Sequence, residues 1–203
     1  MIMETKRIIL SVYALLTGAL WVNAQESTHW QYNIYDYQYD MSIYFKLQKG
    51  EKDITDISDY EVAAFVGDEC RGVAEIRTAT AADNSTVEFG YLRIRSNQVE
   101  GESVSFRAYQ SSTGKTLFGT NTMSFKNMDM IGMPSAPYTL TLSAKKGDAN
   151  VDGIVNTYDI VEVVNYMMGK PSDQFEKDAA DINEDGSVNT ADIVMIVNDI
   201  ISN

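Results

Sequence analysis

The stretch Asp148-Ala149-Asn150-Val151-Asp152-Gly153-Ile154-Val155-Asn156-Thr157-Tyr158-Asp159 decides how the C-terminal part of this chain is read. Oxygen-bearing side chains stand at positions 1, 3, 5, 9 and 12 of twelve, and a glycine stands at position 6. The pattern returns 33 residues later as Asp181-Ile182-Asn183-Glu184-Asp185-Gly186-Ser187-Val188-Asn189-Thr190-Ala191-Asp192. A hard cation such as calcium takes six to eight oxygens, and a twelve-residue loop with this spacing supplies them. The spacing therefore predicts two Ca2+ sites. The first is held by Asp148, Asn150, Asp152, the Ile154 carbonyl, Asn156 and Asp159. The second is held by Asp181, Asn183, Asp185, the Ser187 carbonyl, Asn189 and Asp192. Gly153 and Gly186 make the sharp turn that a side chain would hinder. Without metal the three carboxylates of each loop would repel one another, so ion binding is expected to be coupled to folding.

Each loop runs into an apolar period of 3.6. Ile160, Val163, Val164 and Met167 make one stripe; Ile193, Ile196, Val197 and Ile200 make the other. Val155 and Val188, at position 8, are expected to point inward. Neither loop is preceded by a clear helix, although Phe175 to Ala180 could form one short turn. Together these features resemble the dockerin family, type I-like, over residues 147–201. That resemblance implies a module that plugs into a cohesin-like protein partner. It places the recognition residues at Thr157, Tyr158, Val164 and Asn165, and at Thr190, Ala191, Val197 and Asn198. Many family members carry basic residues where Val164-Asn165 and Val197-Asn198 stand. The helical spacing equally allows both valines to be core.

Ahead of this module the period changes to two. From Tyr35 to Leu47 the odd positions are Tyr35, Tyr37, Tyr39, Met41, Ile43, Phe45 and Leu47, and the even ones are mostly polar. That alternation predicts a half-buried strand with its odd side in the core. Further short runs at 61–66, 70–76, 86–95, 103–109, 115–119, 123–125 and 138–142 are separated by turn signals. The expectation is a mainly β chain, an N-terminal antiparallel β-sandwich followed by a small α-helical module with two EF-hand-like loops. Ala63 to Ala74 reads as a hairpin and looks like a segment of sandwich modules in secreted Bacteroidetes-type proteins. Sugar-stacking candidates are Trp30, Tyr32 and Tyr44, making polysaccharide a second expected partner. Cys70 alternates with Gly72, Ala74 and Ile76, so a buried, inert thiol is expected.

Lys6-Arg7, the apolar run Ile8 to Val22, and Val22-Asn23-Ala24 form the three parts of a secretory signal peptide. No cysteine follows the run, so no lipid anchor is expected, and the run is shorter than the ~20 residues a membrane span needs. The expected organisation is 1–24 signal peptide, 25–144 sandwich and 145–203 helical module, with a secreted, periplasmic or cell-surface location. A formal net charge of -13 and no basic stripe argue against a nucleic-acid partner. The chain has one histidine, His29, placed by the sequence in a flexible N-terminal stretch, and one cysteine. No nucleophilic triad can be built on His29. The expected role is non-catalytic assembly, in a polysaccharide-degrading or cell-surface complex. The alternative is carbohydrate binding or adhesion, with the helical module serving its own sandwich.

Overall fold

A computed structural model of the chain describes residues 29–80 and 86–202. The expected signal peptide lies outside them. Strands follow as β1 Tyr39–Lys49, β2 Lys52–Asp53, β3 Tyr60–Val66, β4 Glu69–Val73, β5 Glu75–Thr80, β6 Thr86–Ser96, β7 Glu100–Gln110, β8 Lys115–Gly119, β9 Met123–Lys126, β10 Met130–Ile131 and β11 Tyr138–Ser143. Beyond Ser143 lie three helices, α1 Thr157–Met167, α2 Lys177–Ala180 and α3 Thr190–Ser202.

The strands form one large sheet in the order β4-β3-β7-β8-β11-β1-β6-β5, with β2 and β10 beside β1 and β9 beside β7. Its two halves meet at a narrow seam, where Leu142 pairs with Gly119 and Ser143 with Phe118. The halves fold over a shared core. Met41, Ile43, Phe45 and Leu47 of β1 meet Val104, Phe106 and Ala108 of β7 there, with Phe125 and Leu140. At the far edge β4 closes onto β6. Gly72 lies so near the Arg93 carbonyl that any side chain would collide with it, and Arg71 Nη1 donates to the Arg95 carbonyl at 3.4 Å.

The odd-position alternation holds from Tyr39, which packs against the core at the start of β1, and fails at Tyr35. Tyr35 is 89 % exposed and sits in a single 3-10 turn, Ile34–Asp36. The cause is Asn33, whose Oδ1 accepts from the Tyr35 N–H at 3.2 Å and whose Nδ2 donates to Asp36 at 3.0 Å. A short amide side chain that bonds the nearby backbone diverts the chain from a strand. Tyr37 is half-buried, its hydroxyl donating to Glu69 at 2.6 Å and its ring facing the Arg71 guanidinium. Burial and that carboxylate push its pKa up to about 12.

A purely antiparallel arrangement is also corrected. β1 pairs antiparallel with β6 but parallel with β11, in the register Phe45↔Tyr138 to Lys49↔Leu142, and parallel with β10. β11 runs opposite to β8, and that reversal carries it alongside β1 in the same direction. His29 is not loose: its ring stacks on Tyr109 at 3.9 Å, and the His29 and Trp30 N–H groups donate to Glu61. Cys70 is half-buried, and burial raises its thiol pKa.

Candidate functional site

The two loops fold alike, bond for bond. In the first, Asp148 accepts from the Asp152 and Gly153 N–H groups at 3.1 and 2.9 Å. In the second, Asp181 accepts from Asp185 and Gly186 at 3.2 and 2.8 Å. Asp152 and Asp185, at position 5, accept from the N–H of position 7 at 2.9 and 2.8 Å. Asn150 and Asn183 each donate to the position-5 carboxylate at 2.9 Å. The position-7 carbonyls of Ile154 and Ser187 accept from Asn156 and Asn189.

Positions 9 and 12 also open the helices. Asn156 Oδ1 accepts from the Tyr158 N–H at 2.8 Å, while Asp159 accepts from the Asn156 N–H at 2.8 Å, a reciprocal cap on α1. Asn189 and Asp192 repeat this on α3 at 2.8 and 2.9 Å. These residue types thus serve helix initiation as well as any ion.

Among the described residues, no three or more Asp, Glu, His or Cys side chains gather round one point; the loop carboxylates turn onto their own backbone. The donor set nevertheless fits a hard cation. Asp148, Asp159 and Asp192 are fully buried and Asp181 nearly so, and among the described residues none of the loop aspartates pairs with a lysine or arginine side chain. Burial, reinforced by Asp159 and Asp152, raises the Asp148 pKa from 3.8 to about 6. Burial raises Asp159 too. Carboxylates buried together with no counter-charge suit a divalent ion bound by oxygen.

A pH prediction follows for the metal-free chain. A carboxyl whose folded pKa is raised binds a proton in the folded state and not in the unfolded one between the two values. Its contribution to stability is therefore lost as pH rises through about 4 to 6. In chelator, amide protection of α1 should be higher near pH ~4.5 than near pH ~7.5, after correction for intrinsic exchange. With calcium present the order should reverse, because protons compete for Asp148.

The helices bury little. Val163 and Ile196 are fully buried with Ala149 and Ala180, and Val155, Ile160, Phe175, Ile182, Val188, Ile193 and Ile200 pack around them. The predicted stripes are thus narrower than expected: Val164 is 37 % exposed and Met167 is exposed, because the loop residues Ala149, Val155, Ile182 and Val188 fill the core instead. Of the recognition residues, Thr157, Tyr158, Val164, Thr190, Ala191 and Asn198 are exposed, while Asn165 and Val197 are half-buried. The sequence reading missed Val161, Met168, Val194 and Ile201, all exposed. Their signal was present, since Val161 and Met168, like Val194 and Ile201, stand seven residues or about two helical turns apart and so share one helical side.

Val151 was missed as well. It occupies position 4 of the first loop with φ +56° and is completely buried, in the core of the sheet rather than of its own module. A β-branched residue in left-handed backbone costs about 1–3 kcal/mol. Its carbonyl accepts from the Thr116 N–H of β8 at 2.9 Å. Gln174 reaches the Thr113 carbonyl at 3.0 Å, and Glu176 stands 3.6 Å from both Lys49 and Lys115. The module therefore meets the sheet through Val151 of its first loop and residues 174–176, while Val164 stays exposed.

Trp30 packs edge-on against Phe65 of β3, and Tyr44 of β1 lies against Phe89 and Tyr91 of β6. β7, β8 and β11 separate β3 from β1, so Trp30 and Tyr44 do not form one stacking platform. Tyr32 is half-buried in the N-terminal stretch.

A duplicated loop-and-helix unit, capped at each helix start and apolar on its outside, is the class of module these residues define. Residues 146–201 match the family model of the dockerin type I domain, so this is a dockerin-family segment. No curated protein and no solved structure matches the chain. Among the described residues no helix is long and apolar enough to cross a membrane.

Proposed function

We propose that this chain is a secreted, non-catalytic assembly protein: a folded-over β-sandwich up to about residue 144, carrying a dockerin module that binds two calcium ions and docks to a cohesin-like partner. The ligands are Asp148, Asn150, Asp152, Ile154, Asn156 and Asp159, and Asp181, Asn183, Asp185, Ser187, Asn189 and Asp192. A polysaccharide-degrading or cell-surface complex is the setting that such a module suits.

One observation carries the docking role. On an acidic chain, α1 with the Met168 that follows it and α3 expose Tyr158, Val161, Val164, Met168, Ala191, Val194, Met195 and Ile201, and no exposed residue from 157 to 168 or from 190 to 202 is charged. Contiguous apolar surface of this kind marks a protein interaction site. Calorimetry should count two calcium ions per chain. Interferometry against a panel of cohesin modules should give calcium-dependent binding that Tyr158→Asp with Val161→Asp weakens by more than about tenfold, as burying an unpaired charge requires. No calcium uptake at millimolar concentration would sink the reading.

The alternative, a module that serves its own sandwich, is favoured by Val151 and its bond from Thr116. The two readings are compatible. The cis contacts use the first loop and residues 174–176, which leaves the exposed sides of α1 and α3 clear.

A further inference from the structure

The two loops agree in sequence pattern and in hydrogen bonding, yet they stand in different surroundings. Position 4 has left-handed backbone in both, Val151 in the first and Glu184 in the second. Glu184 is exposed and pairs with Lys146 at 3.2 Å. The second loop is braced within the module, by Lys146 on the Asp178 and Asp181 carbonyls and by Lys177 on the Gly186 carbonyl. The first loop is braced by the sheet. Val151 lies in the core that Leu117 and Phe106 share, the Thr116 N–H bonds its carbonyl, and a methyl on Gly153 would touch the Thr116 side chain.

We propose that the first loop is an intramolecular docking plug, through which calcium loading fastens the module to the sheet, whereas loading of the second loop does not reach the sheet. The proposal rests on the calcium reading above. Val151 is flanked by Asn150 and Asp152, two of the assigned ligands. An ion that holds both fixes the backbone between them. It thereby holds Val151 in the left-handed pose that puts its side chain in the sheet core and its carbonyl on Thr116. Released from the ion, the residue can relax to an ordinary φ, and relaxation withdraws the plug.

The test uses the full-length chain, calcium alone as the probe, calorimetry to count ions and hydrogen exchange at the Thr116 amide. Asp185→Ala disables the second loop at an exposed side chain. With calcium at about ten times its Kd, Thr116 protection in that variant should rise about tenfold, the factor by which binding shifts a linked opening. Asp152→Ala disables the first loop; it should still take up one ion, with Thr116 unmoved. Asp152→Asn serves if the alanine variant does not fold. Val151→Gly should bind two ions and lose the Thr116 response. Equal responses in the Asp185→Ala and Asp152→Ala chains, or none in the unaltered chain while calorimetry counts two ions, would overturn the proposal. Absence of calcium uptake would remove the reading beneath it, and calorimetry identifies that case separately.

Discussion

Chelating calcium from the full-length chain is expected to melt α1 and α3 while leaving the sheet folded. The module is under 60 residues and the fully buried residues of its own apolar cluster are two alanines, a valine and an isoleucine. No disulfide can staple it, because the chain's single cysteine, Cys70, lies in β4. A core of this size supplies at most about 3–5 kcal/mol. Each ion held at about 100 times its Kd adds about 2.7 kcal/mol, so two add roughly 5 kcal/mol. The ions are therefore worth as much as the whole core, and their removal decides whether the helices persist. Hydrogen exchange should show α1 and α3 falling toward unprotected rates in chelator, while β1, β6 and β7 keep their protection. Asp148→Ala combined with Asp181→Ala should reproduce this with calcium present. Helices that stay protected in chelator would show that the reciprocal caps and the apolar core suffice.

Phe45→Ala should be the most damaging single change in the sheet. Phe45 is completely buried in β1, and its ring lies over Gly90, its register partner in β6. Truncating a buried phenylalanine costs about 3–5 kcal/mol through lost transfer energy and the cavity left behind. With a urea slope of about 1–3 kcal/mol/M, the midpoint should fall by more than about 1 M. Gly90→Ala should also destabilise, because its methyl would enter the space of the ring. Combined with Phe45→Ala that methyl enters a cavity, so the two losses should not add. Strict additivity in urea titrations of the three variants would show that ring and glycine are not coupled.

Much of this was legible in the sequence, for identifiable reasons. The core side of β1 could be read from Met41 to Leu47 because burial on one face imposes alternation. The turn at Val66–Glu69 was legible because it joins two adjacent strands. The helix starts were legible because Asn156 and Asp159, like Asn189 and Asp192, are residue types that cap a helix. What stayed hidden depends on non-local placement. Nothing near Tyr35 distinguishes a strand from an Asn33-capped turn once the alternation suggests a strand. The parallel pairing of β1 and β11 joins residues about ninety positions apart. Val151 reads as filler between two ligands until β8 is brought against it. Val164 and Met167 fit a core stripe until loop residues take that space.

The parallel pair also sets an order of assembly. β1 is the first long strand in chain order among the described residues, yet one of its long flanks cannot be covered along most of its length until β11 is available. Until then a strand bearing Met41, Ile43, Phe45 and Leu47 has an open edge, and such edges recruit other chains. Pairings this distant in sequence place a β domain among slow folders, in milliseconds to seconds. The residues that end the wait, 138–143, immediately precede the dockerin segment. Completion of the sheet and emergence of the module that plugs into it are therefore consecutive events, and a chain truncated before β11 should aggregate rather than fold partway.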